Sequence, residues 1–361
     1  MNGNCVSVRT RPGHGIARPG ACNGFTLVEL MVGIVVGMLV ITAMALLFAN
    51  SSAARAEMDR ASQQIENGRV ALQILRDDIH QAGFFGGYSG GVRRIVDACV
   101  PRAALVLSAG ALGWQSSPAS VPLPIHGYAA GETPAAETCI TNQQPGTDAL
   151  VLRSVDSSSV AVSSVTGAAS ATDYYLQTSA CADPVLDAPD RPFVVAAGGS
   201  GAAATFTLHQ KDCSTLAPLR KLIVRAYYIG KCSVCSGSGD GIPTLRMVEL
   251  EGATATSQSV VEGIDSMHIE YALDTDNDGA FDAVRRCRAS TDPCAVADWQ
   301  NVMAVRVFLL ARNLTPSPAY LDTKTYDMGL AGVIGPANDR FKRHLYSATV
   351  TAFNQTGPRE R

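Results

Sequence analysis

Glu29 is a lone carboxylate within an apolar stretch of the chain. It carries the only ionisable side chain between Phe25 and Ala49. A carboxylate inside a membrane-spanning segment is costly, so such a residue usually has a function and a partner of opposite charge. Cutting the chain after Gly24 would give Phe25 a free α-amino group four residues before Glu29, on the same helical face. The spacing therefore predicts that Glu29 pairs with this amine, in its own subunit or in a neighbouring one.

A second group of carboxylates follows the pattern D-x-D-x-D-G-x-x-D. Its members are Asp274, Asp276, Asp278 and Asp282, with Gly279 at the turn. Oxygen ligands at alternate positions around a glycine turn suit a hard cation of the size of calcium. The loop is not an EF-hand, because Arg285 stands where that motif requires an acidic ligand. Two interpretations stay open: a calcium site, or a solvated acidic turn that follows a strand.

The cysteine content fits a protein of an oxidising compartment. Two of the ten cysteines precede residue 25, and the remaining eight are an even number suited to disulfides. We expect two local pairs, Cys232 with Cys235 and Cys287 with Cys294. The C-x-x-C at Cys232 has the spacing of a redox or zinc motif, but it leads into a Ser-Gly run and has no second C-x-x-C. A structural disulfide is the favoured interpretation there.

Patterns typical of enzymes are weak in this sequence. Residues 87–91 satisfy G-x-S-x-G, but a nucleophile elbow needs a strand before the serine, and here a helical pattern precedes it. The six histidines show no spacing typical of a metal site. The formal net charge of −3 gives no basic footprint for nucleic acid. The sequence therefore favours a protein that is not an enzyme and does not bind nucleic acid.

The apolar run over residues 25–49 is long enough to form a membrane-spanning helix. A helix rises about 1.5 Å per residue, against a hydrocarbon core of roughly 30 Å. Residues 1–24 contain three arginines and no acidic residue, which favours the cytoplasmic side for this leader. Everything beyond Ala49 is then expected on the opposite side of the membrane.

The helical pattern continues over residues 50–82 and is expected to end at Gly83. It contains no proline, and its apolar residues recur every seven positions. We expect this seam to pack on the protein's own sheet, with a coiled-coil dimer as the alternative. Its members are Met58, Ala61, Ile65, Gly68, Leu72, Leu75, Ile79 and Ala82.

Beyond residue 85 the sequence is rich in β-strand patterns. Alternating or β-branched runs predict strands over 149–155, 204–208, 222–229, 245–250, 267–273, 303–310 and 345–353. Residues 157–172 and 196–204 are rich in Ser, Ala and Gly and predict loops or weak edge strands. Residues 99–147 carry most of the scattered prolines, and we expect an insertion between helix and sheet there.

The stretch Gly24-Phe25-Thr26-Leu27-Val28-Glu29 resembles the class III signal of type IV prepilins and type II secretion pseudopilins. In that family a prepilin peptidase cuts after the glycine and methylates the new N-terminal phenylalanine, and the glutamate serves subunit assembly. The resemblance implies cleavage between Gly24 and Phe25, N-methylation of Phe25, and an assembly role for Glu29.

A second resemblance narrows the family. Residues 67–79, Asn-Gly-Arg-Val-Ala-Leu-Gln-Ile-Leu-Arg-Asp-Asp-Ile, followed by Ala-Gly-Phe at 82–84, are similar to the signature of PilW-family minor pilins. His80 and Phe84 depart from the arginine and tyrosine usual in that family. The resemblance implies an α+β type IV pilin-like fold, in which a long N-terminal transmembrane helix packs on an antiparallel β-sheet in an enlarged, disulfide-containing exported domain.

The expected organisation is a leader over 1–24, a transmembrane half-helix over 25–49, an amphipathic half-helix over 50–84 and a periplasmic β-rich domain over 85–361. The resemblance implies a minor pilin that helps prime pilus assembly near the fibre tip. Its partners would be other pilins, the prepilin peptidase and the inner membrane, with no cofactor required beyond the calcium candidate. Two alternatives stay open: a minor pseudopilin of a type II secretion system, and an adhesin or binding module anchored by a pilin helix.

Overall fold

The computed structural model describes residues 25–96, 99, 112–132, 139–251 and 254–356. The proposed leader, including Gly24, lies outside the described residues. The chain divides into two compact units, one ending at Ala56 and the other beginning at Glu57. The helix α1 (Leu27–Gln81) contributes residues to both units.

The larger unit also contains short helices and β-strands, which loops connect. The helices after α1 are α2 (Ala202–Thr205), α3 (Val296–Gln300) and α4 (Phe353–Thr356). The strands are β1 (Val92–Arg94), β2 (Ser120–Pro122), β3 (Ile125–Tyr128), β4 (Ala149–Val155), β5 (Tyr174–Thr178), β6 (Phe193–Ala197), β7 (Leu219–Gly230), β8 (Thr244–Glu251), β9 (Thr254–Glu262), β10 (Ile264–Leu273), β11 (Ala283–Arg285), β12 (Val302–Arg312), β13 (Tyr326–Asp327), β14 (Val333–Ile334) and β15 (Arg343–Thr351).

Two antiparallel sheets carry most of these strands. One has four strands in the order β11-β10-β12-β15. The other has seven strands, in which β3-β4-β7-β5-β6 form one path and β8 and β9 continue from β7. The long strand β7 makes this branching because it pairs with β4, β5 and β8 along different parts of its length. Two small pairs complete the described strands, with β1 parallel to β2 and β13 antiparallel to β14.

The main core lies where the C-terminal part of α1 meets both sheets. Ala71, Leu75 and Ile79 of the helix are fully buried and belong to one apolar cluster with residues of β4, β7, β10 and β12. Each fully buried leucine or isoleucine contributes roughly 2 kcal/mol through removal of apolar surface from water. The expected α+β fold, with a long N-terminal helix on antiparallel sheet, is confirmed.

The predicted heptad seam is wrong in its N-terminal half. Met58 is 71% exposed and Ile65 is 56% exposed. The buried face instead contains Gln64, Gly68, Ala71, Leu75 and Ile79. This stripe follows the 3.6-residue helical period, and a polar residue occupies its first position because the Gln64 amide bonds to strand carbonyls.

Several strand predictions also need correction. The run 204–208 forms the end of α2 and a loop, and the last strand stops at Thr351 so that Phe353 lies in α4. Strands β5, β6 and β9 were not predicted at these bounds. Strand β6 ends within the segment 196–204, for which a loop or a weak edge strand was predicted, and it lies at the end of its strand order. The segment 99–147 contains β2 and β3, and β3 pairs with β4, so this part of the expected insertion belongs to the sheet.

Candidate functional site

The first residues of α1 form a reciprocal hydrogen-bonded cap. Because the helix begins at Leu27, Thr26 is the N-cap residue and Glu29 is the third residue of the helix. The Glu29 amide donates to Thr26 Oγ1 at 3.2 Å, and Glu29 Oε2 accepts from the Thr26 amide at 2.9 Å. Thr26 Oγ1 also donates to Glu29 Oε2 at 3.0 Å. This is a capping box, in which two otherwise unpaired amide groups are satisfied.

The capping role of Glu29 was not among the sequence predictions, although the pattern T-x-x-E was visible. A carboxylate that caps its own helix is positioned at the helix N-terminus, where the helix dipole favours negative charge. Phe25 precedes the cap and is 90% exposed, so it is accessible at the start of the helix. The proposed pairing of Glu29 with a free amine at Phe25 stays a prediction.

The N-terminal part of α1 has the length and composition of a membrane span. None of the side chains in its most apolar 18-residue stretch is buried within the chain. Large apolar residues such as Leu39, Ile41 and Phe48 are each more than 60% exposed. Apolar surface of this extent is stable only in lipid or against other apolar helices.

The acidic loop joins β10 to β11 as a hairpin connection. The amide of Asp282 donates to the carbonyl of Leu273 at 2.9 Å and closes the loop. Asn277 and Gly279 have positive φ values of 62° and 90° and allow the tight turn. The loop is therefore a turn of defined conformation, and it brings three of its carboxylates close together.

Three of the four predicted carboxylates come together. Oxygens of Asp274, Asp276 and Asp282 all lie within 4.8 Å of one another. Asp278 is outside this group, because its carboxylate accepts from the Ala280 amide at 2.8 Å. Asp274 is fully buried and accepts from the amides of Asp278 and Gly279. The arrangement offers three hard oxygen ligands of the kind that calcium binds, about half of the six to eight that the ion takes. It also has hydrogen bonds that an ion-free turn would use.

All eight cysteines beyond the leader form disulfides. Cys232 is bonded to Cys235 and Cys287 to Cys294, the two pairs that the sequence predicts. The other four cysteines, for which local spacing gives no pairing, form Cys99–Cys139 and Cys181–Cys213, with sequence separations of 40 and 32 residues. The loop after Cys232 is fixed by Asp240, which accepts from the amides of Ser233, Val234 and Ile242.

A polar cluster anchors the C-terminal part of α1 to the seven-stranded sheet. The guanidinium of Arg225 donates to both carboxylate oxygens of Asp78 at 2.8 and 3.1 Å and also bonds to Glu249. The Tyr227 hydroxyl donates to Asp78 at 2.5 Å. Burial, together with the nearby charge of Asp78, raises the pKa of Tyr227 well above its usual value. Asp78 therefore accepts from both Arg225 and Tyr227 and fixes the position of the helix on the sheet.

Residues 351–354 contact the C-terminal end of α1. Asn354 Nδ2 donates to the carbonyls of His80, Gln81 and Ala82 at 3.2 to 3.3 Å. His80 Nδ1 lies 2.9 Å from the carbonyl of Thr351, and its ring stacks on Phe353 with centroids 4.6 Å apart. These contacts satisfy carbonyl groups that a helix end leaves unpaired.

Two family models match the chain. The prokaryotic N-terminal methylation motif matches residues 20–45, which include the capped start of α1. The family described as Type IV Pilus-assembly protein W matches residues 226–354, from within β7 to α4. The chain is therefore similar to type IV pilins at its N-terminus and to the PilW family over its C-terminal third.

One solved structure is similar to the chain. It is the Type IV-like pilin TTHA1219 from Thermus thermophilus, at 12% sequence identity and a TM-score of 0.31. The similarity covers 81% of this chain and 96% of that one. No curated protein matches the sequence.

Proposed function

We propose that this PilW-family type IV pilin is a minor pilin, a structural subunit that helps prime pilus assembly near the fibre tip. Two features at the start of α1 together support this proposal. The methylation motif covers residues 20–45, and the apolar window of the helix buries none of its side chains in its own chain. A helix of this kind needs lipid before assembly and the helices of other subunits after it.

The same stretch of the chain supports a proposal for how the subunit is processed and where it is located. A prepilin peptidase would cut between Gly24 and Phe25 and methylate the Phe25 amine. The helix would then hold the subunit in the inner membrane as a single span, with residues after Ala49 in the periplasm. Support for a periplasmic domain comes from its four disulfides, since such bonds persist in oxidising compartments.

In the proposed assembly step, the Glu29 carboxylate leaves its hydrogen bonds to Thr26 and binds a different group. A carboxylate inside a membrane-spanning segment is costly, so a positive partner favours the transfer of Glu29 into the fibre. In the single chain the Glu29 carboxylate bonds to Thr26. In the assembly it would pair with the Phe25 amine of an adjacent subunit.

Three variants separate the charge of Glu29 from its capping role. Glu29→Gln removes the charge but keeps an acceptor for the Thr26 amide, whereas Thr26→Ala weakens the cap and keeps the charge. We expect Glu29→Gln and Glu29→Ala to be cleaved normally but absent from sheared pili, and Thr26→Ala to be incorporated. Normal incorporation of Glu29→Gln would show that assembly does not need the charge.

The same shearing experiment bears on the two alternative functions. A pseudopilin would be recovered with components of a type II secretion system and not with pili. An anchored adhesin would bind glycans or surfaces independently of other pilins. Recovery with sheared pili, dependent on the other minor pilins, is the outcome that the proposal requires.

We also propose that the acidic loop binds one calcium ion through Asp274, Asp276 and Asp282. The support is the approach of three carboxylate oxygens to within 4.8 Å on a turn of defined conformation. Calorimetric titration of the full chain in detergent should give binding heat that Asp276→Ala abolishes. Asp278→Ala is the matched control, because that carboxylate lies outside the group, and it should bind as the unmutated chain does. Absence of heat in the unmutated chain would leave the loop as an acidic turn.

A further inference from the structure

The strand β15 forms one edge of the four-stranded sheet. It is nine residues long and pairs with β12 in continuous register from Arg343 to Thr351. Among the described residues, no strand pairs with its other side. The opposite edge of this sheet is β11, which is only three residues long. The sheet therefore has one short edge and one long one.

The backbone groups that point outward from β15 can be identified from its hydrogen bonds. The Ala352 amide donates to the carbonyl of Met303, and the Asn313 amide donates to the carbonyl of Lys342. Antiparallel strands alternate, so the even-numbered residues of β15 bond to β12 and the odd-numbered ones face away. The outward groups belong to Leu345, Ser347 and Thr349. No described residue bonds to their amide or carbonyl groups.

Edge strands of soluble proteins usually carry a feature that blocks further pairing, such as a charge, a proline or a bulge. Residues 345–349 read Leu-Tyr-Ser-Ala-Thr and contain no charge or proline. The register between β12 and β15 has no irregularity that would indicate a bulge. The carbonyl of Thr351 at one end is already bound by His80. A free segment of about five residues is left between Leu345 and Thr349.

The other long edge strand, β9, differs from β15 in its register and in the contacts of its carbonyl groups. Its pairing with β8 is interrupted by a register shift. The guanidinium of Arg246 donates to the carbonyl of Ser257 at 3.1 Å, and Asn67 donates to the carbonyl of Glu262 at 3.0 Å. Side chains of the same chain therefore occupy part of that edge, whereas the middle of β15 has no such contacts among the described residues.

We propose that β15 binds an extended strand of a different pilin subunit by β-augmentation. An open row of alternating amide and carbonyl groups selects a partner with the same backbone geometry, namely another strand. The choice of a different pilin over a second copy rests on the proposed function, because a minor pilin at a fibre tip has unlike neighbours. Main-chain hydrogen bonds give the affinity of this interaction.

Hydrogen exchange of the full chain in detergent, alone and co-purified with the other minor pilins, tests this interaction. In the free chain, the amides of Leu345, Ser347 and Thr349 should exchange quickly, while those of Tyr346 and Ala348 are protected by β12. In the complex, the outward amides should exchange at least tenfold more slowly. Unchanged exchange in a complex that forms would overturn the strand proposal and leave the minor-pilin function intact. Failure to recover any complex would instead count against that function.

Ser347→Pro provides the matched variant, because proline is tolerated where an edge amide faces solvent. It removes one outward donor and no bond to β12. We expect Ser347→Pro to lower recovery of the complex at least tenfold and Ser347→Ala to leave it unchanged. Protection of the Tyr346 and Ala348 amides in Ser347→Pro shows that the variant is folded. Equal recovery of both variants would contradict the proposal, as would concentration-dependent protection of the chain alone, which would identify a second copy as the occupant.

Discussion

Asp148 is a buried carboxylate with several donors around it. It is 3% exposed and accepts from the amides of Ala130 and Ile269 at 2.8 and 2.9 Å. Arg286 donates to both of its oxygens, and His268 Nδ1 lies 3.4 Å away. Burial alone would raise the pKa of Asp148. The hydrogen bond from His268 and the charges of His268 and Arg286 act in the opposite sense and hold the pKa below its usual value.

The pH dependence of stability follows from this shift. A carboxyl whose pKa is lower in the folded state stabilises the fold above its unfolded pKa of about 3.9, and this contribution is lost as the pH falls through the folded pKa. Asp148→Asn should cost about 3 to 5 kcal/mol at pH 7, because it leaves Arg286 without its buried partner. The difference from the unmutated chain should shrink below about pH 4.

Denaturant unfolding of the full chain between pH 7 and pH 3 measures this difference. The exposed Asp190 offers a control, and Asp190→Asn should change the free energy of unfolding at pH 7 by less than about 0.5 kcal/mol. If the free-energy difference caused by Asp148→Asn were the same at every pH, the assignment of acid sensitivity to Asp148 would be wrong.

At the scale of elements, the helix α1 is the part that the sequence predicts best. Its length and its end near Gly83 follow from an uninterrupted helical pattern and a glycine that has a φ of 82°. The face that it buries could not be predicted as well. Gln64 is buried because it bonds to carbonyls of Ala311 and Lys342, residues more than 240 positions away. Local periodicity contains no information about such partners.

Gly68 determines how closely α1 approaches β15. A Cβ atom at this position would lie 2.3 Å from the ring of Tyr346. In an exposed helix, Gly→Ala would stabilise by about 1 kcal/mol through helix propensity. Here we expect Gly68→Ala to destabilise by about 2 to 3 kcal/mol, because the half-buried Tyr346 ring, which packs against the core, must move.

Unfolding of Gly68→Ala, Tyr346→Ala, the double variant that combines them, and Gly33→Ala tests this contact. Gly33 belongs to the same helix, but a Cβ atom added there would meet no other atom within 4 Å, so Gly33→Ala should not destabilise the fold. The double variant should be more stable than the sum of its single changes predicts. Additive effects would indicate that the contact with Tyr346 does not determine the need for glycine at position 68.

At the scale of the whole molecule, the larger unit combines two sheets with four disulfides. Strands with strong β-branched or alternating patterns, such as β4, β10 and β12, were predicted from the sequence. Strands β5 and β6 were missed because they are short and stand among Ser, Ala and Gly, so that their pairing depends on contacts with β7 and on one another. The pairing of Cys181 with Cys213 likewise depends on the fold, since their sequence separation is 32 residues.

The disulfides should contribute unequally to stability. Constraint of the unfolded chain grows with loop length, so Cys181–Cys213 should contribute about 3 to 4 kcal/mol and Cys232–Cys235 about 1 to 2 kcal/mol. Thermal or denaturant unfolding of the two double-serine variants of the full chain compares these values. A larger loss from the Cys232–Cys235 pair would show that the C-x-x-C loop has a role beyond chain constraint.

We propose that the chain is processed as a pilin subunit. Intact mass and N-terminal sequencing of the protein, expressed with and without a prepilin peptidase, test it most directly. We expect a peptidase-dependent product that begins at an N-methylated Phe25, with the chain left uncut when the enzyme is absent. An uncut chain in the presence of an active peptidase, or one cut beyond Ala49, would show that the chain is not processed as a pilin.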